Sequence, residues 1–376
     1  MIWGLPCAFV HFIRFGASPR KDRLRLVLFF LSQLNALDSR LCYRKHVCAN
    51  MIAQTGTSLR GRNAVPQGGK MLNEAQIQAY HDDGYILVED VVTGEELEEL
   101  RRLTYEKIDQ SRAVSASDEV FDLDEGHSKD NPKLTRIKMP HMQMPAFWDI
   151  LKSSKFRSVL EALLGPAVRL QTSKLNTKAP GGGAAVEWHQ DWAFYPHTND
   201  DVLAIGLMLE DVKEESGPLL VIPGTHKGPV LSHFVNGVFA GAIDPSDPLF
   251  EKDKIITLTG KAGSMTVHHC RTLHGSAPNV SDRARLICFY EMCAADAWPL
   301  AGGAGAFLNM NQRQVYDAVQ SRMIFGEQTM RPRLKDVPVL LPLPPAPDAS
   351  SIFKTQKSAG AVSAFAKADQ KAERAA

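Results

Sequence analysis

The sequence predicts an α+β domain whose core is a sandwich or jelly roll. Two observations carry that expectation. Segments with helical period come first, between residues 73 and 164, and short apolar runs separated by Gly/Pro turns follow, between residues 168 and 292. A third observation, the lack of any visible internal repeat, excludes solenoids and propellers. Asn73 is placed to cap a helix running through Gln76 and Tyr80 that ends at Gly84, and Tyr85-Ile86-Leu87-Val88 reads as a short strand. Thr93 with Glu96 forms a capping-box pattern opening a helix with Leu97, Leu100 and Leu103 on one face. Residues 115–135 are polar and acidic, which predicts a mobile loop. Ala146 to Leu164 reads as one or two helices stopped by Gly165-Pro166. Strands are expected at Val168 to Asn176, Glu187 to Phe194, Leu203 to Leu209, Leu219 to Ile222, Ile255 to Leu258, Ser264 to His268 and Arg285 to Met292.

Composition narrows the function classes. The chain has 376 residues and a net charge of +1, so bulk charge argues neither for nucleic-acid binding nor for membrane adsorption. Its six cysteines form no CxxC pair, which reads as reduced thiols in an intracellular protein. Residues 1–70 hold eight Arg and three Lys against Asp22 and Asp38 alone. That stretch is expected to be a basic extension, either a transit peptide with a mitochondrial destination or a non-globular leader of a cytoplasmic protein. Its apolar runs are too short and too charged for stable membrane insertion. Residues 71–330 are the expected catalytic domain, and the Pro-, Ala- and Lys-rich residues 331–376 are expected to be poorly ordered.

The chemistry starts at Trp188-His189-Gln190-Asp191-Trp192. On a strand, residues i and i+2 share a face, so His189 and Asp191 are expected to present an imidazole and a carboxylate to one metal. With one more histidine they make the facial triad of non-haem Fe(II) oxygenases, and His274, following an apolar run, is the best third ligand. Iron held this way keeps positions for a bidentate keto acid, 2-oxoglutarate, and for O₂. The far carboxylate of 2-oxoglutarate needs a planar cation; Arg285 fits, and Arg283 shares its face. The bland readings are a metal-free His189–Asp191 pair, packing or solvent roles for His268 and His269, a structural turn at His226, and packing between sheets for Trp188, Trp192 and Phe194. Gly181-Gly182-Gly183 lacks the Lys-Ser/Thr of a phosphate loop and reads as a flexible lip.

Together with His189 and Asp191, two further blocks carry a resemblance: Gly217-Pro218-Leu219 leading into Pro223-Gly224-Thr225-His226-Lys227-Gly228, and His274-Gly275-Ser276-Ala277-Pro278-Asn279 with Arg285. Over roughly residues 72–300 the chain resembles the phytanoyl-CoA dioxygenase family of Fe(II)/2-oxoglutarate oxygenases. The resemblance implies a double-stranded β-helix, a cupin-like jelly roll, with N-terminal and flanking helices. It implies iron ligands at His189, Asp191 and His274. It implies 2-oxoglutarate contacts from Arg285, Ser276, Gln171 and the position of Leu207, where many relatives carry an aromatic instead. A basic residue upstream, Arg136 or Lys138, is implied as a further contact. An aspartate at position 191 points to hydroxylation, because halogenating relatives lack that carboxylate.

The expected activity is hydroxylation of a C–H bond in a small organic substrate, with 2-oxoglutarate converted to succinate and CO₂. The competing readings are a metal-dependent hydrolase, which leaves Arg285 and Ser276 without a task, and a catalytically silent scaffold of the same fold. Asp118 to Asp130, the glycine run and Val230 to Leu249 are the expected lids.

Overall fold

Asn73 and Gln76 exchange side-chain-to-backbone hydrogen bonds of 2.9 and 3.0 Å, and this reciprocal cap opens helix α1 (Glu74–Asp83). Gly84, left-handed at φ +78°, closes it through an N–H bond to the Tyr80 carbonyl. The computed structural model describes residues 70–300, 310–341, 345–347 and 351–365, all within the unit Gly68–Ala376. The basic extension expected over residues 1–70 therefore lies outside the described residues, except for Lys70.

In chain order the remaining elements are β1 (Tyr85–Val88), α2 (Glu95–Gln110), β2 (Phe121–Leu123), β3 (Leu134–Lys138), α3 (Pro140–Gln143), α4 (Pro145–Asp149) and α5 (Ser154–Leu164). Then come β4 (Val168–Lys178), β5 (Val186–His189), β6 (Val202–Met208), β7 (Leu219–Val221), β8 (Phe234–Val235) and β9 (Val238–Phe239). The last are β10 (Ile256–Leu258), β11 (Met265–His269), β12 (His274–Ser276), β13 (Arg285–Ala294), α6 (Gln312–Gln320), β14 (Met323–Phe325) and α7 (Ile352–Ser358).

Two antiparallel sheets make the core. The larger has the order β1-β11-β6-β13-β4-β3-β2, with β14 also paired to β4, and the smaller has β10-β7-β12-β5. Period two divides the larger sheet's side chains. Leu203, Ile205, Leu207, Val267, Leu286, Cys288 and Tyr290 join residues of α1, α2, α4 and α5 in the main apolar cluster. The alternate positions Ala204, His268, Arg285 and Phe289 line a pocket shared with residues of the smaller sheet. One face is thus a dry layer under helices, and the other carries polar groups. Cys270, Cys288 and Cys293 are free and buried. No helix among the described residues is long and apolar enough to cross a membrane.

Three expectations need correction. Residues 115–135 contain β2 and the first residues of β3, because Phe121, Leu134 and Ile137 are buried and the fully buried Asp122 is neutralised by Arg136 and Lys138. The second helix starts behind Gly94 with no side-chain cap, so the Thr93–Glu96 box does not form. Part of the segment expected to lack order is held by long-range contacts: the Trp192 indole N–H donates to the Pro338 carbonyl at 2.6 Å, Lys335 pairs with Asp200 at 2.5 Å, and α7 packs on β5.

Candidate metal centre

Strand β5 ends at His189, and Asp191 opens a 3-10 turn, Asp191–Ala193, so the two are not on one continuous strand. The turn still swings the carboxylate back to the imidazole: Asp191 Oδ1 lies 3.6 Å from His189 Nε2 and 3.8 Å from His274 Nε2. Register explains the third member, since His274 on β12 stands directly opposite His189 on β5, with ring centroids 4.1 Å apart. One donor atom from each residue falls within 4.8 Å of the others, a cluster unique among the described residues. All three side chains are buried.

Protonation suits a metal. His189 Nδ1–H donates to the Glu187 carbonyl at 2.8 Å and His274 Nδ1–H to the Thr272 carbonyl at 2.9 Å, leaving both Nε2 lone pairs turned inward. Burial, then the neighbouring His189 and His268, holds the His274 imidazole well below its ordinary pKa. Burial would raise the Asp191 carboxyl, but His274, His189, His268 and Lys174 outweigh it and hold it well below the usual carboxylate range. Two imidazoles with Nε2 turned inward and one carboxylate, with open space beside them, fit iron of the non-haem oxygenase type.

Beside the triad, a narrow pocket of about 40 Å³ is walled by Asn176, Ser276, Arg285, Phe289 and Ile352. Arg285 is 2% exposed, its Nε has no hydrogen-bond partner, and burial alone pulls its guanidinium down to about 9. Arg283 is exposed and borders a different, outward-facing groove, so geometry separates two arginines that spacing could not. The Ser276 hydroxyl donates to the Gly217 carbonyl at 2.9 Å and accepts from Lys178 Nζ at 2.6 Å.

A larger cavity of about 520 Å³ opens over Asp191, lined among others by Arg136, Lys138, Lys174, Phe194 and Glu291. Lys174 and Glu291 pair at 3.0 Å. Burial followed by the Asp191 charge raises the Glu291 carboxyl, against the opposing pull of Lys174. Arg136 and Lys138 share Asp122, at 2.6 and 3.0 Å.

Several expected contacts are corrected. Leu207 is fully buried on the helix-covered face, one residue out of phase with Ala204 and Met208, and does not reach the pocket. Gln171 falls at the register shift between β13 and β4, where Glu291 opposes Thr172 and Met292 opposes Leu170, and lines neither cavity. Arg136 borders the large cavity, not the Arg285 pocket. Phe194 is not simply packed between sheets, since the strand ends early and its ring stands 5.8 Å from that of His189. Of the expected lids, Val230 to Leu249 supplies Phe239 to the large cavity, while the glycine run bonds to Asn279 and Ser281 instead.

Residues missed by the sequence reading include Lys174, Asn176, Glu291 and Ile352. Counting by two from Arg285 along β13 reaches Glu291, so that signal was present. His268, expected to pack or face solvent, turns toward the site: its Nε2 lies 3.6 Å from Asp191 Oδ2, and neither ring nitrogen has a hydrogen-bond partner.

A jelly roll holding two histidines and an aspartate beside a buried, unpaired arginine defines a non-haem, keto-acid-dependent oxygenase. The chain belongs to the phytanoyl-CoA dioxygenase family, which it matches over residues 80–287. It is 35% identical over 291 residues to the probable alpha-ketoglutarate-dependent hypophosphite dioxygenase of Stutzerimonas stutzeri, covering 75% of this chain and 96% of that protein. It is 27% identical over 239 residues to the ectoine dioxygenase of Bordetella parapertussis, covering 58% of this chain and 75% of that one. The crystal structure of EctD from S. alaskensis with bound Fe superposes with a TM-score of 0.52 at 23% identity, over 65% of this chain and 83% of that chain, and shows the shared fold. The chain is a dioxygenase that uses Fe(II), 2-oxoglutarate and O₂.

Proposed function

We propose that His189, Asp191 and His274 hold the iron, that Arg285 anchors the far carboxylate of 2-oxoglutarate, and that the enzyme hydroxylates a small anionic molecule bound in the large cavity. The observation that carries this reading is the buried Arg285 guanidinium, which shares a pocket with the triad and forms no ion pair there, the one acid of that pocket, Asp191, being turned to the histidines. Iron so held, with 2-oxoglutarate and O₂, supplies the oxidation, giving succinate, CO₂ and the oxygenated substrate. The chain's own residues set the geometry: the carbonyls of Glu187 and Thr272 fix the imidazoles, Arg285 orients the keto acid, and Phe194, Phe239 and Ile352 keep water away. Ser276 shapes the wall, its proton already given to Gly217.

Anionic substrates are favoured because Arg136, Lys138 and Lys174 border the cavity, where Arg136 and Lys138 share the single carboxylate of Asp122. The relative named a probable hypophosphite dioxygenase makes hypophosphite the first compound to test. A cavity of about 520 Å³ also has room for larger organic anions. In the assay, full-length protein reconstituted anaerobically with Fe(II) releases succinate from 2-oxoglutarate under O₂, and the true substrate accelerates this. Arg285→Ala raises the KM for 2-oxoglutarate at least tenfold, the loss of roughly 1.4 kcal/mol or more expected for a buried charge-assisted pair. An unchanged KM removes Arg285 from the role.

A further inference from the structure

Among the described residues, strand β5 is the edge of the smaller sheet, with β12 on one side and no strand on the other. An open edge leaves backbone groups unpaired, and in this protein the bare edge carries a proposed metal ligand. The C-terminal helix α7 covers it. Gln356, 3% exposed, uses its side-chain amide as a surrogate strand: Oε1 accepts from the Glu187 backbone N–H at 3.0 Å, and Nε2 donates to the Glu187 carbonyl at 3.3 Å and to the Gly241 carbonyl at 2.9 Å. The Glu187 carboxylate accepts from the Ala364 N–H at 2.9 Å, and Phe365 stacks on Trp188 with centroids 6.4 Å apart.

The Glu187 carbonyl is also the acceptor for His189 Nδ1–H. One oxygen thus links Gln356 to the tautomer and orientation of His189. On the same helix, Ile352 belongs to the walls of both the Arg285 pocket and the large cavity. The Arg285 pocket holds about 40 Å³, room for about three waters at the ~10–15 Å³ each needs, which is less than 2-oxoglutarate requires. The pocket shares Lys174, Asp191 and Ile352 with the larger cavity, and of these Ile352 is the part of the wall carried by a separate helix. Ile352, Gln356, Ala364 and Phe365 all lie beyond the stretch 80–287 that matches the family.

We propose that the C-terminal helix is a working part of the active site, in which Gln356 is a positioning residue for His189 and Ile352 closes the cosubstrate pocket. The inference rests on His189 being a metal ligand. If docking of α7 favours metal binding, metal binding favours docking by the same factor. Partners one step behind a metal ligand change metal affinity by about 10–100-fold, and Gln356 acts through one more atom, so an effect of about tenfold is expected for Gln356→Leu.

The test uses the full chain and Co(II) in place of iron, read by visible absorption under anaerobic conditions. Wild type that binds no Co(II) at this site refutes the metal-centre reading itself. If wild type binds, Gln356→Leu is expected to bind about tenfold more weakly with an altered spectrum, while Lys357→Ala, an exposed neighbour on α7, matches wild type. A folded Gln356→Leu with wild-type affinity and spectrum overturns the positioning role. Hydrogen exchange at the Glu187 amide of wild type gives a second measure, independent of any variant's folding. Its protection should rise on adding Co(II), and unchanged protection overturns the coupling. Ile352→Ala should increase substrate-free succinate release several-fold without weakening Co(II) binding; no increase overturns the closing role.

Discussion

Arg285 is the residue whose energetics say most about function. A buried guanidinium with an unpartnered Nε and no ion pair is a cost to the fold, visible in the downward pull of burial to about 9. Replacing it with a flexible apolar side chain should relieve that cost. Arg285→Met is therefore expected to melt no lower than wild type in the absence of ligand. With 2-oxoglutarate at 100 times the wild-type Kd, wild type gains about 2.7 kcal/mol, and a variant that binds at least tenfold more weakly gains about 1.4 kcal/mol or less. Thermal melts with and without 2-oxoglutarate decide this, and a lower unliganded Tm for Arg285→Met would mean the arginine is structural. At this scale the site was legible where chemistry is demanding: His189, Asp191 and His274 stood out by residue type and spacing, while burial was needed to separate Arg285 from Arg283. Leu207 and Gln171 were misplaced because their side chains depend on strand phase and on one bulge, which the residue types do not encode. His268 lay in between, since alternation allowed only one of His268 and His269 to face inward but could not choose which.

Among the elements, β12 is short, and it depends on the turn ahead of β7. Gly217 sits there at φ +69°, and a Cβ on it would lie 2.4 Å from the Ala277 carbonyl oxygen. Its own carbonyl takes the Ser276 hydroxyl proton at 2.9 Å. Gly217→Ala is expected to lose about 1–2 kcal/mol from the left-handed conformation, and more as β12 is pushed away. Urea unfolding should show the loss, and the KM for 2-oxoglutarate should rise, because Ser276 and His274 share that strand. An unchanged urea midpoint would sink the argument. Elements made by local pattern were readable: the strand expected at Leu203 to Leu209 forms as Val202–Met208, one residue out of step. The β2–β3 hairpin and α7 were not, since an acidic segment becomes a hairpin only when Arg136 and Lys138 arrive to neutralise Asp122. Likewise, α7 is held by Gln356 reaching a strand 169 residues away in sequence.

For the molecule as a whole, buried histidines outside the strands make stability sensitive to acid. Burial pulls His141, His197 and His233 each down to about 4, from an ordinary value near 6.5. His233 shows why: Nδ1–H donates to the Leu231 carbonyl at 2.8 Å, and Nε2 accepts the Gln190 N–H at 2.8 Å, so both nitrogens are committed in the neutral form. An added proton would set an N–H against that N–H. Between pH 6.5 and 4 the unfolded chain binds these protons and the folded one does not, so stability falls as pH drops through that window and levels off below it. Asp200, lowered by Lys335, His269 and Arg271 against the upward push of burial, acts in the same direction at the acid end, because its contribution is lost as its carboxylate is protonated. At pH 5 His233 alone accounts for about 2 kcal/mol. His233→Gln keeps an acceptor near Gln190 without a titrating proton. Urea unfolding at pH 7.5 and 5.0 should then show the variant losing about 2 kcal/mol less than wild type between the two. Equal losses would place the acid sensitivity in the other buried histidines.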